Sequence, residues 1–379
     1  MPPHVGGIER VAEQQAVAYR DAGHEVTWVA TAPPLRAGPT TEDGIRRIRI
    51  AGANGLESRL GMPFPLIGAG GLRSIAATVA GADLVHLHDC LYPPIVAADR
   101  AARRHGTPTI VTQHVAIVSF GAPIDPLLRL AYRTVGRQVL RRAAGVAFVS
   151  GHVRDWFATN VDPAIGGIVI PNAVDTARFS PGDPDRRAAA RIALGLPPDG
   201  PVVAFVGRLV PKKGLRILAA AVARLPEVRL VVVGDGPDRA TVEALGPRVT
   251  LHRRLPHQSM PAVYLAADAF GLVSRGEGMP VALIEALASG LPAVVSDDPG
   301  FDALADCAGV VRVRPDPDAV ATAIRSLLAD PAARAARGQA ARGWALERHA
   351  PEAFAARYLA LADAALRRSG GKERPNEQL

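Results

Sequence analysis

The chain has 379 residues, 48% of them hydrophobic and 21% charged, a globular composition on a length that one hydrophobic core rarely supports, so two domains are expected. No apolar run approaches the ~20 residues that span a bilayer, and the opening MPPHVGGIER has no basic segment followed by an apolar stretch. The two cysteines, Cys90 and Cys307, exclude a disulfide framework and a Cys-x-x-Cys metal cluster, and a cytoplasmic protein with two small core thiols is expected. A net charge of +8 raises nucleic acid and anionic membrane as partners, but 4% aromatic residues with no ring-interleaved basic tract argues against nucleic acid.

In chain order, the first feature is a glycine pair, Gly6 and Gly7, at the start of a helical pattern. Backbone there can approach a phosphate or an acceptor hydroxyl, or simply make a tight turn. A doubly wound unit reaches such a turn from a first buried strand, and none precedes it, so a truncated start is expected, or another segment at the sheet centre. Short apolar, β-branched runs predict strands at Glu25 to Ala30, Arg46 to Ile50, Leu84 to Leu87, Thr109 to Thr112, Val146 to Val149 and Ile168 to Ile170. His86 and His88 in VHLHD and His114 in VTQHV fall near strand C-termini, where open α/β sheets bind ligands, although a lone histidine there is as readily core or surface. Arg129, Arg133, Arg137 and Arg141 recur every four residues beside Leu127, Leu130 and Val139, a basic amphipathic helix suited to anionic lipid or to plain solvent. The apolar loop from Leu60 to Gly71 either cradles a lipid-linked acceptor or packs inside.

From Pro171 to Asp185 the stretch PNAVDTARFSPGDPD is dense in Pro, Asp and Gly and reads as a linker, with the domain boundary near Asp175. Strands are predicted again at Val202 to Val206, Leu230 to Val233, Ala269 to Val273, Ala293 to Ser296 and Val310 to Val313, so the chain is two doubly wound α/β units in tandem. GRLVPKKG carries Arg208 and Lys213 into the turn after the first of these strands, a planar fork and a mobile point charge that suit a diphosphate or merely start a helix. VVVGDGPDR has Gly234 and Gly236 but lacks the third glycine of a dinucleotide fingerprint. GEGMPVALIEALASG, Gly276 to Gly290, opens a helix after a glycine turn, and the amides near Gly278, Met279 and Pro280 can bind an anion. Glu277 and Glu285 can border one cleft and accept sugar or ribose hydroxyls, or be solvated helix residues. The pairs Asp183/Asp185 and Asp316/Asp318 precede helical patterns and read as N-caps in preference to a metal clamp. The last eleven residues, SGGKERPNEQL, are polar and expected to be disordered.

Together these motifs, with GHEVT, IPNAVD and YLAADAF between them, resemble glycosyltransferase family 4 (group 1) over nearly the whole chain. The resemblance implies the GT-B fold, two Rossmann-like doubly wound domains facing a central cleft, here with the first strand of the N-terminal domain missing. It divides the chain into an acceptor domain (1–174), a nucleotide-sugar domain (175–350), a helix crossing back (351–368) and a tail (369–379). Val174 and Asp175 mark the entry to the donor domain. By resemblance His114, Arg208, Lys213 and Glu277 are catalytic: Arg208 and Lys213 hold the donor diphosphate, Glu277 the transferred sugar, and His114 lies over that sugar. Gly6, Gly7, Gly207, Gly234, Gly278, Met279, Pro280 and Glu285 bind the donor, Glu285 at the ribose. HRRLPHQSMP departs from the family's base-reading turn and leaves UDP and GDP both open.

The implied activity is metal- and cofactor-independent transfer of a hexose or N-acetylhexosamine, with retention, from a nucleotide diphosphate-sugar to a glycan or lipid-linked acceptor, by an enzyme in the cytoplasm or on the inner face of a membrane. With no carboxylate nucleophile evident beneath the sugar, a front-face route follows. The alternatives are an inactive nucleotide-sugar binder and a hydrolysing nucleotide-sugar epimerase.

Overall fold

A computed structural model describes residues 7–32, 38–53, 64–117, 121 and 124–370. Gly6, residues 60–63 of the apolar loop and most of the polar tail, 371–379, lie outside them. The chain divides into two compact units, Met1–Pro171 with Glu352–Leu379, and Asn172–Pro351.

In the first unit, β1 (Thr27–Ala32), β2 (Gly38–Glu42), β3 (Ile45–Ala53) and β4 (Leu66–Ile67) form one sheet, in which β1 runs parallel to β3 while β2 and β4 pair with β3 antiparallel. A second, parallel sheet orders β5 (Val85–His88), β6 (Thr109–Gln113), β7 (Gly145–Phe148) and β8 (Ile168–Val169) consecutively. Among the described residues no ladder joins the two sheets and no strand precedes β1, which is the position of a doubly wound unit's first strand. Helices Ala69–Ala80 and Pro93–His105 pack Ile75, Val79, Ala101 and Ala102 on Val29 and Ile50 of one sheet and Val85 of the other, so a single apolar layer serves both. Helix Pro351–Gly370 belongs to this unit and packs Leu361, Ala362 and Ala365 against Ile110. It extends through Ser369 and Gly370, where a disordered tail was expected.

The second unit is a six-stranded sheet of β9 (Val202–Val206), β10 (Arg229–Val233), β11 (Val249–His252), β12 (Ala269–Leu272), β13 (Ala293–Ser296) and β14 (Val310–Val313), ordered β11-β10-β9-β12-β13-β14 and parallel throughout. The central strands β9, β12 and β13 are buried on both faces, which is why their sequences are apolar up to Ser296 at the end of β13. Asp183 and Asp316 accept from backbone N–H groups and cap helices Pro184–Ala193 and Pro317–Ala329.

The expected strands are present with ends displaced by at most three residues. β2, β4 and β11 were not expected. Val139 is a correction of the amphipathic helix: it is buried, while Leu127 and Leu130 on the same helical stretch are 68% and 57% exposed. A π-turn at Tyr132–Gly136 interrupts that stretch. Arg137 and Arg141 both pair with Asp162, and Arg133 donates to the Asn160 carbonyl, so much of the arginine row fastens its helix to the next one.

His349 stacks obliquely on Trp344, and burial pushes its pKa down to about 4. A base held neutral this way takes up its proton more readily when unfolded, so stability rises with pH between about 4 and the ordinary 6.5 and is lost as pH falls through that window. The unfolding midpoint of the second unit in urea, followed by Trp344 with Trp28 and Trp156 replaced by Phe, should therefore rise across that range and rise less steeply in His349→Gln. Equal slopes would contradict the assignment.

Candidate active site

The strand order of the second unit reverses between β9 and β12, and ligands of open α/β sheets bind beyond the carboxyl ends of strands at such a switch point. Two of the predicted motifs leave the sheet there: GRLVPKKG from β9 and SRGEGMP from β12. Gly214 has φ +67, and a Cβ at this position would run into the Val273 carbonyl. Only glycine lets the β9 turn settle on the end of β12. The contact is sealed by the Arg275 N–H, which donates to the Lys212 carbonyl at 2.9 Å.

That docking places the Lys213 ammonium 2.7 Å from Glu277 Oε1, with side chains 17% and 7% exposed. Burial alone would raise the Glu277 carboxyl, but Lys213 and Lys212 outweigh it and hold the pKa below the usual carboxylate range. Lys212 is itself pushed below the ordinary lysine range by burial, opposed by Glu277, with Lys213 and Arg208 as neighbouring like charges. Arg208 stands exposed at the rim. The structure thus brings Arg208, Lys213 and Glu277 together and adds Lys212, which the sequence reading passed over. Asp298 and Gly300 were missed as well: the Asp298 carboxylate accepts from the N–H of Gly300 at 2.9 Å and from that of Gly276 at 3.3 Å, and a Cβ on Gly300 would strike the Glu277 backbone.

Beyond Glu277, Gly278, Met279 and Pro280 are buried and lead into helix Val281–Ala288, with Pro280 as the cap residue before the first turn. The Met279 carbonyl accepts from Asn172 Nδ2 at 2.8 Å, so the IPNAVD segment anchors this loop. Glu285, in the helix interior, accepts from the buried Tyr264 hydroxyl at 2.7 Å. Gly207 and Gly234 have φ of +155 and +151 and border the same sheet edge, but a Cβ at Gly234 would collide with the Gly207 carbonyl. Close packing between the β9 and β10 turns accounts for Gly234 without any ligand.

In the first unit, Gly7 begins helix Gly7–Asp21. His114 follows β6 and is 5% exposed, and its Nε2 lies 3.0 Å from His88 Nδ1. His86 stacks on His88 with ring centroids 4.8 Å apart, and a hydrogen-bonded chain links Tyr19 to His86, His86 to Thr112 and Thr112 to Tyr358. Burial drives the pKa of all three histidines down, to about 4 for His88.

Residues 5–178 match the family model described as Glycosyltransferase Family 4, and residues 186–344 the one described as Glycosyl transferases group 1. Over 274 residues the chain is 36% identical to a GDP-mannose-dependent alpha-(1-6)-phosphatidylinositol monomannoside mannosyltransferase of Mycolicibacterium smegmatis, covering 67% of this chain and 70% of that protein. It is 33% identical to a 2-deoxystreptamine glucosyltransferase of Streptomyces kanamyceticus, with 69% and 72% covered. In fold it is similar to sucrose-phosphate synthase of Thermosynechococcus elongatus, with TM-score 0.78, 25% identity, and 94% and 93% of the two chains covered. It also matches Anabaena HepE, solved with UDP and glucose, with TM-score 0.74, 20% identity, and 94% and 95% covered. The family models, the relatives and the shared fold define a nucleotide-sugar-dependent GT-B glycosyltransferase. The chain belongs to glycosyltransferase family 4, the group 1 glycosyltransferases.

Tyr264→Phe removes a donor from a buried carboxylate, and stability should fall by about 1–3 kcal/mol with the fold retained. Urea denaturation checks this, and an unchanged midpoint would show that the Tyr264 hydroxyl contributes nothing to holding Glu285.

Proposed function

We propose that the chain is a retaining, metal-independent glycosyltransferase that moves a hexose or N-acetylhexosamine from a UDP- or GDP-linked donor to a glycan or lipid-linked acceptor. The observation that carries this reading is the part-buried Lys213–Glu277 pair beside Lys212 and Arg208 at the switch point. Its cations supply beside a leaving diphosphate the charge that a divalent ion supplies elsewhere, and its carboxylate is held ionised to accept from sugar hydroxyls. In the front-face step the C1–O bond to the diphosphate breaks, the acceptor hydroxyl bonds to C1 from the same side, and its proton passes to the departing phosphate oxygen. Arg208 and Lys213 stabilise the charge that develops there. Donor binding sets the diphosphate in competition with Glu277 for the Lys213 ammonium, leaving the carboxylate for the sugar. The amides of Gly278 and Met279 hold sugar and phosphate oxygens with Pro280 bordering the donor, Glu285 takes the ribose, and His114 lies over the sugar.

Removing one preorganised charge costs about 3 kcal/mol of barrier, or roughly 100-fold in rate. Lys213→Ala should lose at least that much kcat. Arg208→Ala, at an exposed position that leaves the fold intact, should fall in the same direction, and near-normal turnover in both would sink the proposal. The donor is identified by saturation-transfer NMR of the purified chain against GDP-mannose, UDP-glucose, UDP-N-acetylglucosamine and NAD without metal. Binding of one nucleotide-sugar, lost in Glu285→Ala, supports the site; binding of none rejects it.

A lipid-linked acceptor draws support from the name of the mycobacterial relative, a phosphatidylinositol monomannoside mannosyltransferase, and from Leu127 and Leu130 exposed beside Arg129 and Arg133. Among the described residues no helix is long and apolar enough to cross a membrane, and we place the enzyme in the cytoplasm, on the inner membrane face. The chain should float with anionic vesicles at low salt and release near 1 M salt, where the Debye length is about 3 Å, and Leu127→Asp with Leu130→Asp should abolish flotation. No flotation at low salt ends the membrane reading.

A further inference from the structure

The last residues of β5 do more than pair with β6. Asp89 continues the ladder, donating its N–H to the Thr112 carbonyl at 2.8 Å, but adopts φ +65, a left-handed conformation that a non-glycine residue keeps only when its surroundings enforce it. That turn carries the buried carboxylate over the end of β6, where Oδ1 accepts from the His114 N–H at 2.9 Å and from Gln113 Nε2 at 2.9 Å. One residue earlier, His88 Nδ1 meets His114 Nε2 at 3.0 Å, the two rings within 19° of parallel. The last residue of β5 and the one after it therefore hold His114 by its ring and by its backbone.

His88 is in turn confined by His86, whose ring lies within 17° of parallel to it. His86 has its own tautomer set. Thr112 donates to Tyr358, so its hydroxyl oxygen accepts from His86 Nε2–H, and His86 Nδ1 accepts from Tyr19. The His88–His114 contact shares one proton between two neutral rings. Whichever ring carries it, the protonation of His114 Nδ1 is dictated: a donor if His88 donates, an acceptor if His114 does.

We infer that His88 and Asp89 are positioning residues for His114, holding its ring orientation and coupling its tautomer to that of His88, so that Nδ1 is the ring nitrogen offered to the substrate. The role in turnover rests on the glycosyltransferase reading above; the control of the tautomer does not. A histidine that contacts a reacting sugar needs one defined edge, because a ring that flips or exchanges tautomers presents a donor part of the time and an acceptor the rest.

The test labels the full chain with 15N-histidine and records long-range imidazole spectra, which distinguish the neutral tautomers without any substrate. The wild type should show a single neutral tautomer at His114. His88→Asn, whose amide reaches the place of Nδ1, should retain it. His88→Phe, and His88→Gln, whose amide lies one methylene further out, should show both tautomers. In transfer assays His88→Phe should lose at least about tenfold in kcat with donor KM changed less than kcat, and His88→Asn should recover most of it. Asp89→Asn keeps the acceptor oxygen and should behave like wild type in the spectra. A single unchanged His114 tautomer in folded His88→Phe or His88→Gln overturns the inference, as does loss of turnover through KM alone. A wild-type chain that transfers no sugar but shows the expected tautomers would reject the proposed activity and leave the positioning intact.

Discussion

Everything at the switch point depends on how closely the turn after β9 settles on the end of β12. At Gly214 the two backbones meet with no room for a Cβ, and the Arg275-to-Lys212 hydrogen bond closes the seam. Were that turn to stand off by the width of a methyl group, Lys213 would lose Glu277 and both charges would relax into solvent. The glycines of the neighbouring turns, Gly234 against Gly207 and Gly300 against Glu277, repeat the same device. Four loops from four strands are nested backbone to backbone, and the polar side chains occupy what space remains.

Holding such charges inside is unfavourable by itself. Desolvating a carboxylate and an ammonium costs several kcal/mol per ion, and their attraction offsets this only in good geometry. The lowered Lys212 pKa is the mark of that cost; the lowered Glu277 pKa shows that two nearby ammonium groups overcome it for the carboxylate. A pair so placed adds little to stability compared with apolar residues of the same volume. It is what a site needs, however, since groups already stripped of water act strongly on charge that develops beside them.

The parallel core was legible in the sequence because strands buried on both faces have to be apolar throughout, as VVAFV and AFGL are. β2, with the sequence GPTTE, and the two-residue β4 carry no such signal, since they pair at the edge of a sheet and face largely outward. Of the site, Arg208, Lys213 and Glu277 stood out because glycine turns after strands announce where a chain approaches a ligand. Tyr264, Asp298 and Asn172 did not, because each acts through a contact from 21 to 107 residues away that no local pattern records. The arginine row had the reverse fate: periodicity made it conspicuous, and Asp162, on the following segment, claims half of it.

The second unit is contiguous, whereas the first is assembled from both sides of it. The ends of the second unit are tied together, Val174 N–H donating to the His349 carbonyl at 3.0 Å and the His349 ring bonded to the Asn172 carbonyl at 2.6 Å. A ribosome releasing this chain therefore delivers everything the second unit needs before the first can be finished. Until helix Pro351–Gly370 emerges, β6 lacks the cover of Ala362 and Ala365, and Thr112 lacks the Tyr358 hydroxyl. The order of folding during synthesis is thus opposite to the order of the sequence: the second unit closes on itself first, and the histidine cluster is locked last, by the final helix to appear.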